Sequence, residues 1–223
     1  MTDVVQSFYD RWARAYDAIA DVPPVAGWRD RTAASLGLDP GDTVVEMGCG
    51  TGANLTYLRE RVGPDGTVVG IDLTRGMLLR ARKRNREPGR LVQADATRPP
   101  IGRPGSRGDG AIDALLGSFV VGLFADPAAV VDDWCDLVGP GGHVGLLHFH
   151  TSDRWWARPA NLGYAGLVRV SSPNAVRAAG AAAAHDASVR QAHDALEGRA
   201  DDIVERDFAG GFLRLQVGRI GKG

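Results

Sequence analysis

The segment Thr43 to Ala53, TVVEMGCGTGA, constrains this chain most: a β-branched run reaches an acidic residue and then three glycines at alternate positions. Such a pattern predicts a buried strand that turns sharply into a helix. Glycine admits positive φ and lets a ligand lie against the main chain, so Gly48, Gly50 and Gly52 are expected to form the floor of a site. A helix starting near Gly52 would offer unpaired N–H groups and a positive dipole end, favouring a carboxylate or phosphate above the turn.

Gly48-x-Gly50-x-x-Ala53 also satisfies the dinucleotide fingerprint, so neighbouring residues must decide between ligands. Glu46 would repel a pyrophosphate but suits a ligand with an ammonium beside its carboxylate. Asp72 closes the apolar run Thr67 to Ile71, where α/β nucleotide sites place the carboxylate that accepts both ribose hydroxyls. Asp95, after the run Leu91 to Ala94, can accept from an adenine amine, and the N–H of Ala96 can donate to a ring nitrogen. An amino-acid end, a ribose and an adenine together describe S-adenosylmethionine.

The set Glu46-x-Gly48-x-Gly50-x-Gly52, Gly70-Ile71-Asp72, Asp95-Ala96, Ile112-Asp113-Ala114 and Gly139-Pro140-Gly141-Gly142 resembles the class I S-adenosylmethionine-dependent methyltransferases over nearly the whole chain. Phe8-Tyr9-Asp10, Tyr16-Asp17 and Ala209-Gly210-Gly211-Phe212 further resemble the small-molecule branch that includes the ubiquinone and menaquinone C-methyltransferases. The resemblance implies an α/β, Rossmann-like sheet of seven strands, mostly parallel with a C-terminal antiparallel hairpin, helices on both faces and an N-terminal helical cap. It implies cofactor contacts from Tyr16, Cys49, Leu73, Met77 and Ser118 beside the glycines and carboxylates already named.

At 223 residues the chain suits one well-buried domain. Within it, 1–40 would form the cap, 41–150 the cofactor-binding core, 151–200 a substrate cover and helix, and 201–220 the hairpin. A formal charge of -1 demands neither nucleic acid nor an anionic membrane. Two cysteines, Cys49 and Cys135, make no disulfide framework, and no apolar run reaches the length of a membrane span. The expectation is a cytoplasmic protein with a small-molecule substrate and no nucleic-acid partner; the sequence says nothing of oligomeric state.

Along the chain, Met1 to Ala20 has Val5, Phe8, Tyr9, Trp12 and Tyr16 at helical spacing, either a packed aromatic stripe or a cap over the ligand. In related enzymes such a tyrosine meets the methionine carboxylate, and Tyr16 is the preferred contact. Helices are expected at Trp28–Leu36, Ala53–Val62, Arg75–Arg86, with Met77 against the adenine, Ala128–Val138 and Asn174–Gly198. The basic residues of Arg75–Arg86 read as a solvated face, because no aromatics interleave for base stacking. Thr97 to Gly110 holds too many prolines and glycines for the short helix that relatives place there. Strands are expected at Ala111–Leu116, followed by Ser118 and Phe119 at the ligand edge, at His143–Phe149, and at Asp202–Phe208 and Phe212–Ile220.

Methyl transfer from a sulfonium is an in-line displacement that needs alignment and dryness above all. A base is needed only for a poorly acidic acceptor, and His148 and His150, on one face at the end of their strand, are the candidates beside the structural alternative. Phe119 and the Trp155-Trp156 segment are the candidate acceptor contacts; Arg154–Val170 reads equally as a cover or a half-buried connector. No clustered ligand set supports a metal. Two competing functions remain. A nicotinamide-dependent reductase lacks the Tyr-x-x-x-Lys dyad, since Val168 follows Tyr164 by four, and a non-catalytic S-adenosylmethionine-binding module would carry the same pocket.

Overall fold

The computed structural model describes residues 23–87, 89–101, 112–149 and 181–221. The expected N-terminal helix with Tyr9 and Tyr16, His150, Trp155 and Trp156, and most of Thr97–Gly110, lie outside those residues.

The described elements run α1 (Pro23–Ser35), β1 (Thr43–Met47), α2 (Leu55–Val62), β2 (Thr67–Asp72), α3 (Arg75–Arg84), β3 (Arg90–Gln93), β4 (Ala114–Ser118), α4 (Pro127–Val138), β5 (His143–Phe149), α5 (Ala181–Arg199), β6 (Ala200–Phe208) and β7 (Leu213–Ile220). Single 3-10 turns occupy Val121–Leu123 and Ala209–Gly211. The strands form one seven-stranded sheet in the order β3-β2-β1-β4-β5-β7-β6. The first five pair in parallel, whereas β7 runs antiparallel to both β5 and β6.

This is the expected seven-stranded sheet with its C-terminal hairpin. Strand order reverses beside β1, because the chain builds outward through β2 and β3 and then returns to lay β4 on the other side. Crevices at such reversals, beyond the carboxyl ends of the strands, are where open α/β sheets hold ligands.

Apolar layers cover both faces. Val45, Leu115, Val144 and Leu146 pack with Val131 and Trp134 of α4 and Leu196 of α5, while Val44, Leu116 and Leu147 pack with Leu36, Leu55 and Leu58. Every residue of β4 is buried, as a central strand covered on both sides requires. Trp134 is fully buried and its indole N–H donates to the Ala96 carbonyl at 2.9 Å, so its one polar atom is satisfied.

Several boundaries differ from expectation for local reasons. α1 begins at Pro23 rather than Trp28, because proline in a first turn forgoes only an N–H that has no helical partner there. α3 ends at Arg84, where Asn85 leaves helical geometry and its amide donates to the carbonyls of Ala81 and Gly52 at 2.9 and 3.0 Å. β4 starts at Ala114 rather than Ala111 and includes Ser118. The preceding Asp113 instead bonds its main-chain N–H and its carboxylate to Thr43 at 2.9 and 2.8 Å. No helix among the described residues is long and apolar enough to cross a membrane.

Candidate functional site

A cavity of about 480 Å³ opens at the strand-order reversal, a size ordinary for a small-molecule site. Its floor is the turn after β1. Gly48, Gly50 and Gly52 take φ of 69°, 54° and 74°, the left-handed region that glycine alone enters without strain. Above Gly50 nothing lies within 4 Å of where a Cβ would sit, so the main chain there faces open space. Gly52 serves packing instead: a Cβ would fall 2.7 Å from the Asn85 amide nitrogen and 2.9 Å from the Ala81 side chain.

Helix α2 begins at Leu55, later than Ala53, and this changes the expected electrostatics. The Gly50 N–H is not offered to a ligand; it donates to Asp72 Oδ2 at 2.9 Å, while the Thr74 N–H donates to Oδ1 at 2.8 Å. Two backbone donors thus lock the Asp72 carboxylate at the cavity wall with lone pairs to spare. Burial raises its pKa and those two bonds oppose the rise.

Glu46 lies deeper, only 1% exposed, and lines the same cavity. Its Oε1 accepts from the Asn54 amide at 2.5 Å, and its Oε2 is buried without a partner among the described residues. Burial first of all pushes its pKa up to about 8, against lowering by the Asn54 bond and the Arg29 charge. Asn54 also donates to Ser118 Oγ at 3.0 Å and accepts from Arg29 Nη1 at 2.7 Å, which brings a cation from α1 to the cavity wall. An orphaned carboxylate oxygen and a guanidinium at one end suit a ligand that carries an ammonium and a carboxylate together.

At the other end Asp95, Ala96, Leu73 and Met77 line the cavity. Asp95 is exposed and its Oδ1 accepts from both the N–H and the hydroxyl of Thr97, at 2.9 and 2.8 Å. The far wall is the apolar run after β4. There Phe119 holds φ of 60°, uncommon for a bulky residue, with its N–H on the Leu147 carbonyl at 2.7 Å and its ring 4.6 Å from Phe149.

Residues 44–142 match a family model described as a methyltransferase domain. The chain is 33% identical to a nocamycin O-methyltransferase of Saccharothrix syringae, over 76% of this chain and 60% of that protein. It is 30% identical to a demethylmenaquinone methyltransferase of a Mycobacterium species, over 74% of this chain and 65% of that protein. Both matches span less than two thirds of the relative's own length. A phosphatidylethanolamine N-methyltransferase of Cereibacter sphaeroides is 30% identical over 68% of this chain and 71% of its own. The chain belongs to the S-adenosylmethionine-dependent methyltransferases. A solved S-adenosylmethionine-dependent methyltransferase from Aquifex aeolicus shares the fold, with a TM-score of 0.58 at 17% identity over 86% of this chain and 89% of that one.

Of the residues expected at the site, Glu46, Gly48, Cys49, Gly50, Asp72, Leu73, Met77, Asp95, Ala96, Ser118 and Phe119 line one cavity. Gly52 supports the floor from behind. The Cys49 sulfur lies where a Gly70 side chain would otherwise be, 2.9 Å from that glycine's ideal Cβ, so this cysteine's side chain packs on the sheet.

His148 requires a correction. It does not line the cavity; strand alternation turns it to the α5 face, where its Nδ1 lies 3.2 Å from His193 Nε2 and only 3% of the residue is exposed. Phe149, its neighbour, takes the Phe119 side. A base over the ligand is therefore not what the position of His148 supports. His148→Ala is expected to leave S-adenosylhomocysteine affinity within about twofold while lowering stability by about 1–3 kcal/mol, since a buried ring and its partner are lost. Titration calorimetry and urea melts on the same preparation check both halves.

Arg29 and Asn54 were missed in the sequence. Arg29 sits on a helix before the motif, and only tertiary packing brings it near. Asn54 lies two residues past the last glycine, where a helix interior was expected, so its side chain was given no role.

Proposed function

We propose that the protein transfers a methyl group from S-adenosylmethionine to a small, lipophilic or aromatic acceptor, at carbon or oxygen. The observation that carries this reading is the convergence of Glu46, Asp72 and Asp95 on one cavity over a glycine floor, with the unpartnered Glu46 oxygen waiting for a cation. Glu46 and Arg29 would hold the amino-acid end, Asp72 the ribose hydroxyls, and Asp95 with the Ala96 N–H the adenine. Trp134 steadies that last contact by gripping the Ala96 carbonyl. The cofactor supplies a methyl already attached to a good leaving group.

The chain's remaining work is alignment and exclusion of water. Phe119, Val120, Leu123 and Phe124 give the post-β4 wall an apolar surface against which a greasy acceptor would lie. Nocamycin and demethylmenaquinone, named in the relatives, accord with such an acceptor, and Trp155 and Trp156 are proposed to complete its cover. Two free, buried cysteines fit work in the reducing cytoplasm.

Titration calorimetry tests the cofactor. S-adenosylmethionine and S-adenosylhomocysteine are expected to bind and NAD is not, because NAD carries no ammonium to meet the unpartnered Glu46 oxygen. NAD binding equal to or tighter than the adenosyl ligands would remove the reading.

A further inference from the structure

Resting on the cofactor assignment just made, we infer that Asn54 is the positioning residue that makes the cavity read the ammonium and carboxylate of an amino-acid tail as one paired feature. A single primary amide offers one acceptor oxygen and two donor hydrogens. In Asn54 the oxygen accepts from Arg29 at 2.7 Å, and the nitrogen serves Glu46 at 2.5 Å and Ser118 at 3.0 Å.

Those partners settle which way the amide points, since a flipped amide would set a donor against the guanidinium and an acceptor against a carboxylate. Arg29 comes from α1, Glu46 from β1 and Ser118 from β4, three elements that share no local sequence. Asn54 itself is 3% exposed and touches the cavity from below. With Oε1 occupied by Asn54, the buried Oε2 of Glu46 is the carboxylate atom left without a partner for a cation. The same amide holds the guanidinium beside that carboxylate, so cation and anion subsites are kept at a constant separation. A nucleoside whose tail carries both charges gains from both; a nucleoside without the tail gains from neither.

The experiment compares S-adenosylhomocysteine with 5′-methylthioadenosine, which keeps the nucleoside and lacks the amino-acid end, by calorimetry on wild type, Asn54→Ala, Arg29→Ala and the double variant. Asn54→Ala is expected to weaken S-adenosylhomocysteine about 30-fold while methylthioadenosine affinity changes by less than about twofold, a selectivity that general loosening of the fold would not produce. Because Asn54 acts through Arg29, the double variant should lose no more than about threefold beyond the worse single variant.

Equal losses for the two ligands, no loss, or fully additive losses would each overturn the inference. If Asn54→Ala does not fold, Asn54→Ser, whose hydroxyl cannot span both charged partners, is judged by the same selectivity. Failure of the wild type to bind S-adenosylhomocysteine sinks the cofactor assignment instead, and so separates the two claims.

Discussion

Asp72→Ala is expected to weaken S-adenosylhomocysteine binding by about 100-fold or more, because two hydroxyls lose a shared charged acceptor and each such bond contributes about 1.5–3 kcal/mol. The size of the effect follows from how the carboxylate is held. Its oxygens already accept from Gly50 and Thr74, so the ligand meets a preset acceptor and spends no ordering entropy on it. Asp72→Asn should fare almost as badly. Whichever way its amide turns, an NH₂ group faces one of those backbone donors, and either the Gly50 turn or the Thr74 helix start is pushed from its place. A thermal melt without ligand distinguishes this from global unfolding, and unchanged affinity in Asp72→Ala would mean the ribose lies elsewhere.

The second large effect concerns pH. Glu46 has its pKa raised by burial to about 8, so near neutrality the free protein holds this carboxyl mostly protonated. An ammonium at its unpartnered oxygen favours the ionised form, and binding must expel the proton. Affinity for S-adenosylhomocysteine is therefore expected to rise with pH by close to tenfold per unit up to about pH 8, with about one proton released per ligand at pH 7. Calorimetry in two buffers of different ionisation enthalpy counts that proton.

The same shift acts on stability with a definite sign. The folded carboxyl binds its proton more tightly than the unfolded one, so its contribution is fully present below the ordinary value of 4.5 and is lost as pH rises toward about 8. Glu46→Gln keeps an oxygen for Asn54 and carries no charge. It should flatten the pH dependence of binding and weaken the ligand, while making the free protein more stable at pH 8 by on the order of 2–3 kcal/mol. A Gln variant that binds as wild type with the same pH slope would show that Glu46 does not meet the ammonium.

The elements whose residues carry a local signal were legible before the structure. β1, β2 and β5 are short apolar runs bounded by Gly, Pro or Asp, and the last helix before the hairpin showed as an alanine-rich run. The three carboxylates were legible because each lies at or just beyond the carboxyl end of a strand, and strand ends in a parallel sheet share one edge. Arg29 and Asn54 were hidden for the opposite reason: their meaning arises from contacts with Glu46 and Ser118, across separations of 8 to 64 residues. His148 misled because a strand end was taken as sufficient to face the ligand. The face matters too, and the pleat put Phe149, not His148, on the side that packs against Phe119.

The placement of β1 between β2 and β4 also bears on how the protein comes into being. A ribosome that has released the chain only through β3 has delivered the glycine floor and Asp72, but neither Ser118 nor Phe119. A chain released only that far lacks one wall of the cavity, and any ligand of the completed cavity deepens the folded state by RT ln(1 + [L]/Kd). The folded population is thus expected to rise as the concentration of such a ligand climbs above its Kd.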